Sequence, residues 1–89
     1  MKKLLYGSRF LKTLKVVKKR HYDYALLEAT VKMLCEGVSL PQKYHDHALI
    51  GDLKGFRDCH IESNWILIYQ ETEDSIVLIA TGSHDDIFK

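Results

Sequence analysis

The chain contains one proline, one tryptophan and two cysteines, and no apolar run approaches the roughly 20 residues that a membrane-spanning helix needs. No association with a membrane is therefore expected. Cys35 and Cys59 stand apart, outside any CxxC spacing. That argues against a disulfide framework and for buried thiols in a reducing compartment. The opening MKKLLYGSRFLK lacks a long apolar segment followed by a small-residue cleavage site, so a cytoplasmic setting is expected. Nothing resembles a GxGxxG turn, a P-loop or a nucleophile elbow, which removes the usual signals for nucleotide binding and serine hydrolysis. Internal repeats and low-complexity segments are absent as well.

What is there reads as one ordinary globular domain over residues 1–89, with 46% hydrophobic and 28% charged residues. A net charge of +1 hides an asymmetry. Residues 1–44 carry ten Lys/Arg against three Asp/Glu, and residues 45–89 carry three against nine. A basic first half attracts a polyanion such as RNA, and it equally seats an acidic protein partner.

Lys2 to Tyr6, stopped by Gly7, reads as an edge strand. From Ser8, a residue suited to the N-cap, the apolar positions Phe10, Leu11, Leu14 and Val17 recur at helical spacing, and lysines take the other faces. Asp23 caps a second helix with Leu26, Leu27, Thr30, Met33 and Leu34 as its inward stripe and Gly37 as its stop. Pro41 prevents that helix from resuming and opens a long connection, residues 38–54, whose density of Tyr, His and Asp favours a functional loop. Phe56 to Ile61 and Trp65 to Tyr69 alternate as adjacent strands, and Ile76 to Ala80 closes the sheet before the tail from His84 to Lys89. The fold class is α+β, two N-terminal helices packed on a small antiparallel β-sheet.

The candidate chemistry lies between Tyr44 and Tyr69 and in the tail. Cleaving RNA through its own 2′-hydroxyl needs a base, an acid for the departing 5′ oxygen, and positive charge near the phosphorus. Imidazoles serve both proton roles near neutral pH. His47 in the loop, His60 on a strand and His84 after the last strand are expected to converge, while His21 and His45 are assigned to structure. Lys54 and Arg57 form a candidate phosphate clamp, with Arg57 and His60 expected on one open face of the sheet; the alternative is solvated cations beside Asp52 and Asp58. Trp65 and Phe88 are candidates for stacking on a base, although a tryptophan in an alternating strand usually belongs to the core. His45, His47, Cys59 and His60 are spaced wrongly for a tetrahedral zinc, so no metal and no cofactor is expected.

The segments DHALIG at 46–51, KGFRDCH at 54–60, WILIY at 65–69 and GSHDDIF at 82–88 resemble the YafQ branch of the RelE superfamily, the messenger-RNA-cleaving toxins of bacterial toxin–antitoxin modules. The resemblance covers nearly the whole chain and implies the same RelE-like fold. It further implies metal-independent cleavage of messenger RNA in the ribosomal A site by 2′-hydroxyl attack. Silencing by a DinJ-like antitoxin is implied too, with operator DNA reached only through the toxin–antitoxin complex. Its catalytic histidines fall on His47, His60 and His84, and its active-site tryptophan and C-terminal aromatic on Trp65 and Phe88. By resemblance His84 is the general acid, and His47 or His60 the base or the phosphate-stabilising group. By resemblance the chain departs from its relatives at Asn64, where they usually carry an aspartate, and at Ala80, where they commonly carry an arginine. An endoribonuclease is the first reading. A binding module for an antitoxin or operator complex, with cleavage weakened by those two replacements, is the second. A metal-dependent hydrolase is the third.

Overall fold

Gly7 sets the start of the first helix. In the computed structural model, which describes residues 1–88, its N–H donates to the Leu78 carbonyl at 2.8 Å. A Cβ at this position would stand 2.9 Å from that same oxygen, so close approach to the sheet requires glycine. Gly7 is consequently the N-cap, and Ser8, expected in that role, is the first helical residue. Strand β1 (Lys3–Tyr6) precedes it and helix α1 (Ser8–Lys19) follows. Phe10, Leu14 and Val17 are buried, while Leu11 remains 49% exposed, because the seam is narrower than the apolar pattern. Helix α2 (Tyr24–Cys35) begins where Asp23 accepts the Ala25 N–H at 3.1 Å, as its sequence implies. Its inward stripe is Leu27, Thr30, Leu34 and Cys35, with Leu26 turned outward.

The connection after α2 is more ordered than its composition implies. It holds two 3₁₀ turns, Gln42–Tyr44 and Gly51–Leu53, and a two-residue strand between them, β2 (His47–Ala48). β3 (Arg57–Glu62), β4 (Trp65–Glu71) and β5 (Ser75–Gly82) form a meander, and α3 (His84–Phe88) ends the described residues; Lys89 lies outside them. The sheet order is β1-β5-β4-β3-β2. All pairs are antiparallel except β1 with β5, which run parallel, so the small sheet is mixed and has five strands.

β4 is buried on both faces. Trp65, Leu67 and Tyr69 meet the two long helices through Phe10, Leu14, Val17, Leu27 and Leu34. Ile66 and Ile68 form a smaller second core with Ala80 and Ile87. That double burial explains the unbroken apolar run WILIY. A register shift sets Ile68 opposite Ala80 but Tyr69 opposite Leu78, leaving Ile79 as the extra residue. Ile76 and Leu78 therefore face the long helices, and Ala80 faces the second core.

Candidate active site

The alternation of β3 decides what meets what. Cys59 points to the long helices, and Asp58 and His60 point the other way, toward α3. Asp58 is the centre of the site. Its side chain is 4% exposed, its Oδ2 lies 3.8 Å from His47 Nε2 and 3.7 Å from His84 Nε2, and its Oδ1 has no hydrogen-bond partner. Those separations suit ion pairs rather than hydrogen bonds.

Each imidazole arrives on a different element. β2 pairs with β3 so that His47 stands opposite Asp58. His47 Nδ1 lies 2.7 Å from the His45 carbonyl oxygen. A carbonyl only accepts, which places the proton on Nδ1 and leaves Nε2 facing Asp58. His60, opposite Ile66, has its ring centroid 5.4 Å from that of His84 and 5.6 Å from that of His45. His84 opens α3, and Phe88, four residues on, stacks against it at 5.9 Å. The three histidines singled out by sequence do converge, at one end of the meander and open to solvent, with His47 and His84 52% and 46% exposed.

Two members of the cluster escaped the sequence reading. His45, assigned to structure, adopts a left-handed conformation (φ 48°) that turns its carbonyl to His47 and its ring edge to His60. Asp58 was weighed only as a neighbour of cations. The signal was available in its parity, since a strand residue two before His60 shares its face.

Other candidates lie elsewhere. Arg57 is on the opposite face of β3 from His60, because adjacent strand residues alternate. Its Nε and Nη2 reach Asp46 Oδ1 and Oδ2 at 3.3 and 3.2 Å, and the Tyr69 hydroxyl donates to the same carboxylate at 2.7 Å. The Asp46 hydrogen bonds push the Arg57 guanidinium up, and burial followed by Asp46 pushes the Tyr69 phenol up. The expected Lys54–Arg57 clamp on the histidine face is therefore corrected: Arg57 is engaged below the sheet, and Lys54 is exposed beside the Gly51–Leu53 turn. Trp65 is 2% exposed, tilts against Tyr22, and donates its indole N–H to Thr81 Oγ1 at 2.8 Å, so it offers no face to a base. Phe88, 43% exposed, does. Asn64 is exposed in the β3–β4 turn, and Ala80 is fully buried in the second core.

A metal was not expected from spacing, yet Asp58, His60 and His84 offer one donor atom each within 4.8 Å of one another. Carboxylate and imidazole suit zinc or copper. Donors around a tetrahedral zinc are about 3.4 Å apart, so the trio would have to draw in before holding one. Cys59 is no ligand here: burial pushes its thiol far up, and it faces the helices.

Known proteins share the sequence and fold of this chain. The mRNA interferase toxin YafQ of Escherichia coli K12 is 38% identical over 84 residues, covering 93% of this chain and 91% of the relative. The E. coli DinJ–YafQ complex superposes with a TM-score of 0.92 at 36% identity, covering all of both chains. A metal-bound toxin from Helicobacter pylori superposes with a TM-score of 0.91 at 37% identity, over 99% of this chain and all of that one. The pattern that defines YafQ, bacterial toxins of type II toxin–antitoxin systems, matches residues 2–89. A match over that span, with relatives this similar and the same fold, makes this chain a member of the YafQ toxin family.

Proposed function

We propose that this chain is an endoribonuclease toxin, an mRNA interferase that cuts messenger RNA on the ribosome by 2′-hydroxyl attack. The observation that carries the proposal is the gathering of His47, His60 and His84 around the buried carboxylate of Asp58. One imidazole takes the 2′-hydroxyl proton while the P–O2′ bond forms. Another gives its proton to the 5′ oxygen as the P–O5′ bond breaks, leaving a 2′,3′-cyclic phosphate and a 5′-hydroxyl. His84 acts as the acid, beside Phe88, on which a base at the cut site stacks. His47 or His60 acts as the base, and the remaining imidazole stabilises charge on the phosphorus. A DinJ-like antitoxin silences the chain, in keeping with the DinJ–YafQ complex of its relative, and operator DNA is reached only through that complex. Messenger RNA in the ribosomal A site is the substrate. No described helix is long and apolar enough to cross a membrane, in keeping with action in the cytoplasm.

Primer extension on a messenger in a translating extract tests this. Cuts by wild type, lost with His84→Ala and His60→Ala and bearing 5′-hydroxyl ends, are the expected result, with a bell-shaped pH–rate profile because one imidazole must start neutral and the other charged. Equal cutting by wild type and both variants would remove the histidines from the mechanism.

A second reading has its own observation. Ala80 is buried among Ile66, Ile68 and Ile87, so no cation projects from that position onto the face of Asp58. A binding module with little or no cleavage would bind antitoxin yet leave translation and growth intact on expression.

A further inference from the structure

The helix that carries His84 is held from outside. Of its five residues only Ile87 is buried, and a helix this short has no stability of its own. Asp86 supplies the hold. Its Oδ2 accepts from Arg20 Nη1 at 2.7 Å and from the Ser83 N–H at 3.1 Å, and its own N–H donates to Ser83 Oγ at 3.1 Å. The reciprocal bonds make a capping box at the β5–α3 junction. Gly82 leaves room for it: a Cβ there would stand 3.0 Å from Asp86 Oδ2, and its φ of +146° disfavours any other residue. From α1, Arg9 donates to the Ile87 carbonyl. Arg9 and Arg20 are eleven residues apart, about three helical turns, so both leave one side of α1 toward α3.

We propose that Asp86 and Arg20 are positioning residues for RNA cleavage, a clasp between the end of α1 and α3 that fixes His84 against Asp58 and His60. This rests on the reading of His84 as a catalytic group. An exposed ion pair contributes little to stability by itself, so the worth of this one lies in geometry. The Ser83 amide and then the Arg20 guanidinium hold the Asp86 carboxyl below the ordinary carboxylate range, which keeps the clasp charged. Displacing a reacting group by about 1 Å reduces rate by about 100-fold.

The test is steady-state cleavage of a messenger in a translating extract by wild type, Arg20→Gln, Arg20→Lys, Asp86→Asn and His84→Ala, with kcat, KM and Tm recorded for each. Arg20→Gln and Asp86→Asn alter net charge in opposite directions, so an electrostatic effect on RNA binding would move KM oppositely in the two. The clasp predicts instead that both lower kcat by roughly 10- to 100-fold at unchanged KM. Arg20→Lys should recover most of that loss. Because Arg20 is half exposed, its variants are expected to fold, and a shift of the His84 ring resonances in Arg20→Gln reports displacement independently of activity. Inactive His84→Ala with both clasp variants at wild-type kcat would overturn the clasp alone. A raised KM at unchanged kcat in Arg20→Gln would make Arg20 an RNA contact and overturn it too. Full cleavage by His84→Ala would remove the catalytic reading of His84, and the clasp's role with it.

Discussion

Replacing Asp58 with Asn keeps the shape and removes the charge, and the structure predicts that activity then falls while stability holds or rises. Two unit charges 3.7 Å apart, the His84–Asp58 separation, attract by about 1 kcal/mol in a water-like medium and about 4.5 kcal/mol at an effective dielectric constant of 20. The carboxylate is buried, but the imidazoles are 52% and 46% exposed, which places the effect between these bounds. A value of about 2 kcal/mol corresponds to roughly 30-fold in rate. Stability responds to a different atom. Asp58 Oδ1 is buried with no hydrogen-bond partner, so folding already bears the desolvation of a charge that is incompletely satisfied. A neutral amide relieves it, and Tm should hold or rise. Single-turnover cleavage together with thermal melting checks both signs. Wild-type cleavage by Asp58→Asn, or a stability loss beyond about 2 kcal/mol, would refute the assignment of this carboxylate to function rather than to structure.

Other perturbations separate core from site. Trp65→Phe should lower stability by about 1–2 kcal/mol through loss of the bond to Thr81, with cleavage within about twofold of wild type; a large loss of cleavage at unchanged Tm would return the indole to the site. Added Zn²⁺ or Cu²⁺ should slow cleavage by occupying Asp58, His60 and His84, with recovery on chelation, and enhancement by either ion would favour metal-dependent hydrolysis. The Asp86 carboxyl is held low, chiefly by the Ser83 amide and then by Arg20, so its contribution is present above the ordinary Asp range and is lost as pH falls through the folded value. The Tm difference between wild type and Asp86→Asn, measured at about pH 6, should therefore shrink as pH falls below the ordinary Asp range. Ala80→Arg places a cation two strands, about 9–10 Å, from Asp58 and should raise kcat while lowering Tm, since a large side chain enters the second core; unchanged kcat would mean that no cation is missing.

The elements legible in sequence were those whose period matched their burial. Phe10, Leu14 and Val17 mark α1, Asp23 caps α2, and the WILIY run is the doubly covered central strand. Errors came where tertiary contact overrode local chemistry. Ser8 is the better cap by residue type, yet the near touch of Gly7 on Leu78 places the helix start one residue earlier. The parallel β1–β5 pair and the pairing of His47–Ala48 with β3 depend on contacts distant in the chain. Within the site, the three histidines were legible as chemistry, but their faces were not. Arg57 and His60 were set on one face although three positions apart, and an odd separation in a strand puts side chains on opposite sides. The Ile79 bulge, which turns Ala80 away from Leu78, leaves no residue-type signal at all.

These placements together settle where positive charge around Asp58 can come from. Arg57 forks onto Asp46 on the far side of β3, Arg20 and Arg9 hold α3, and position 80 is apolar. The ion-pair partners of Asp58 among the described residues are the imidazoles of His47 and His84, standing on either side of its Oδ2. One carboxylate oxygen faces two imidazoles, so its negative charge would stabilise either one as an imidazolium. If His47 is the base of the proposed mechanism and His84 the acid, positive charge would cross the cluster as the 2′-hydroxyl proton is taken and the other is given up, while its counter-charge stays in place. In this chain Asp58 is left to the histidines, and under the proposed mechanism a single buried carboxylate would serve both halves of the proton exchange.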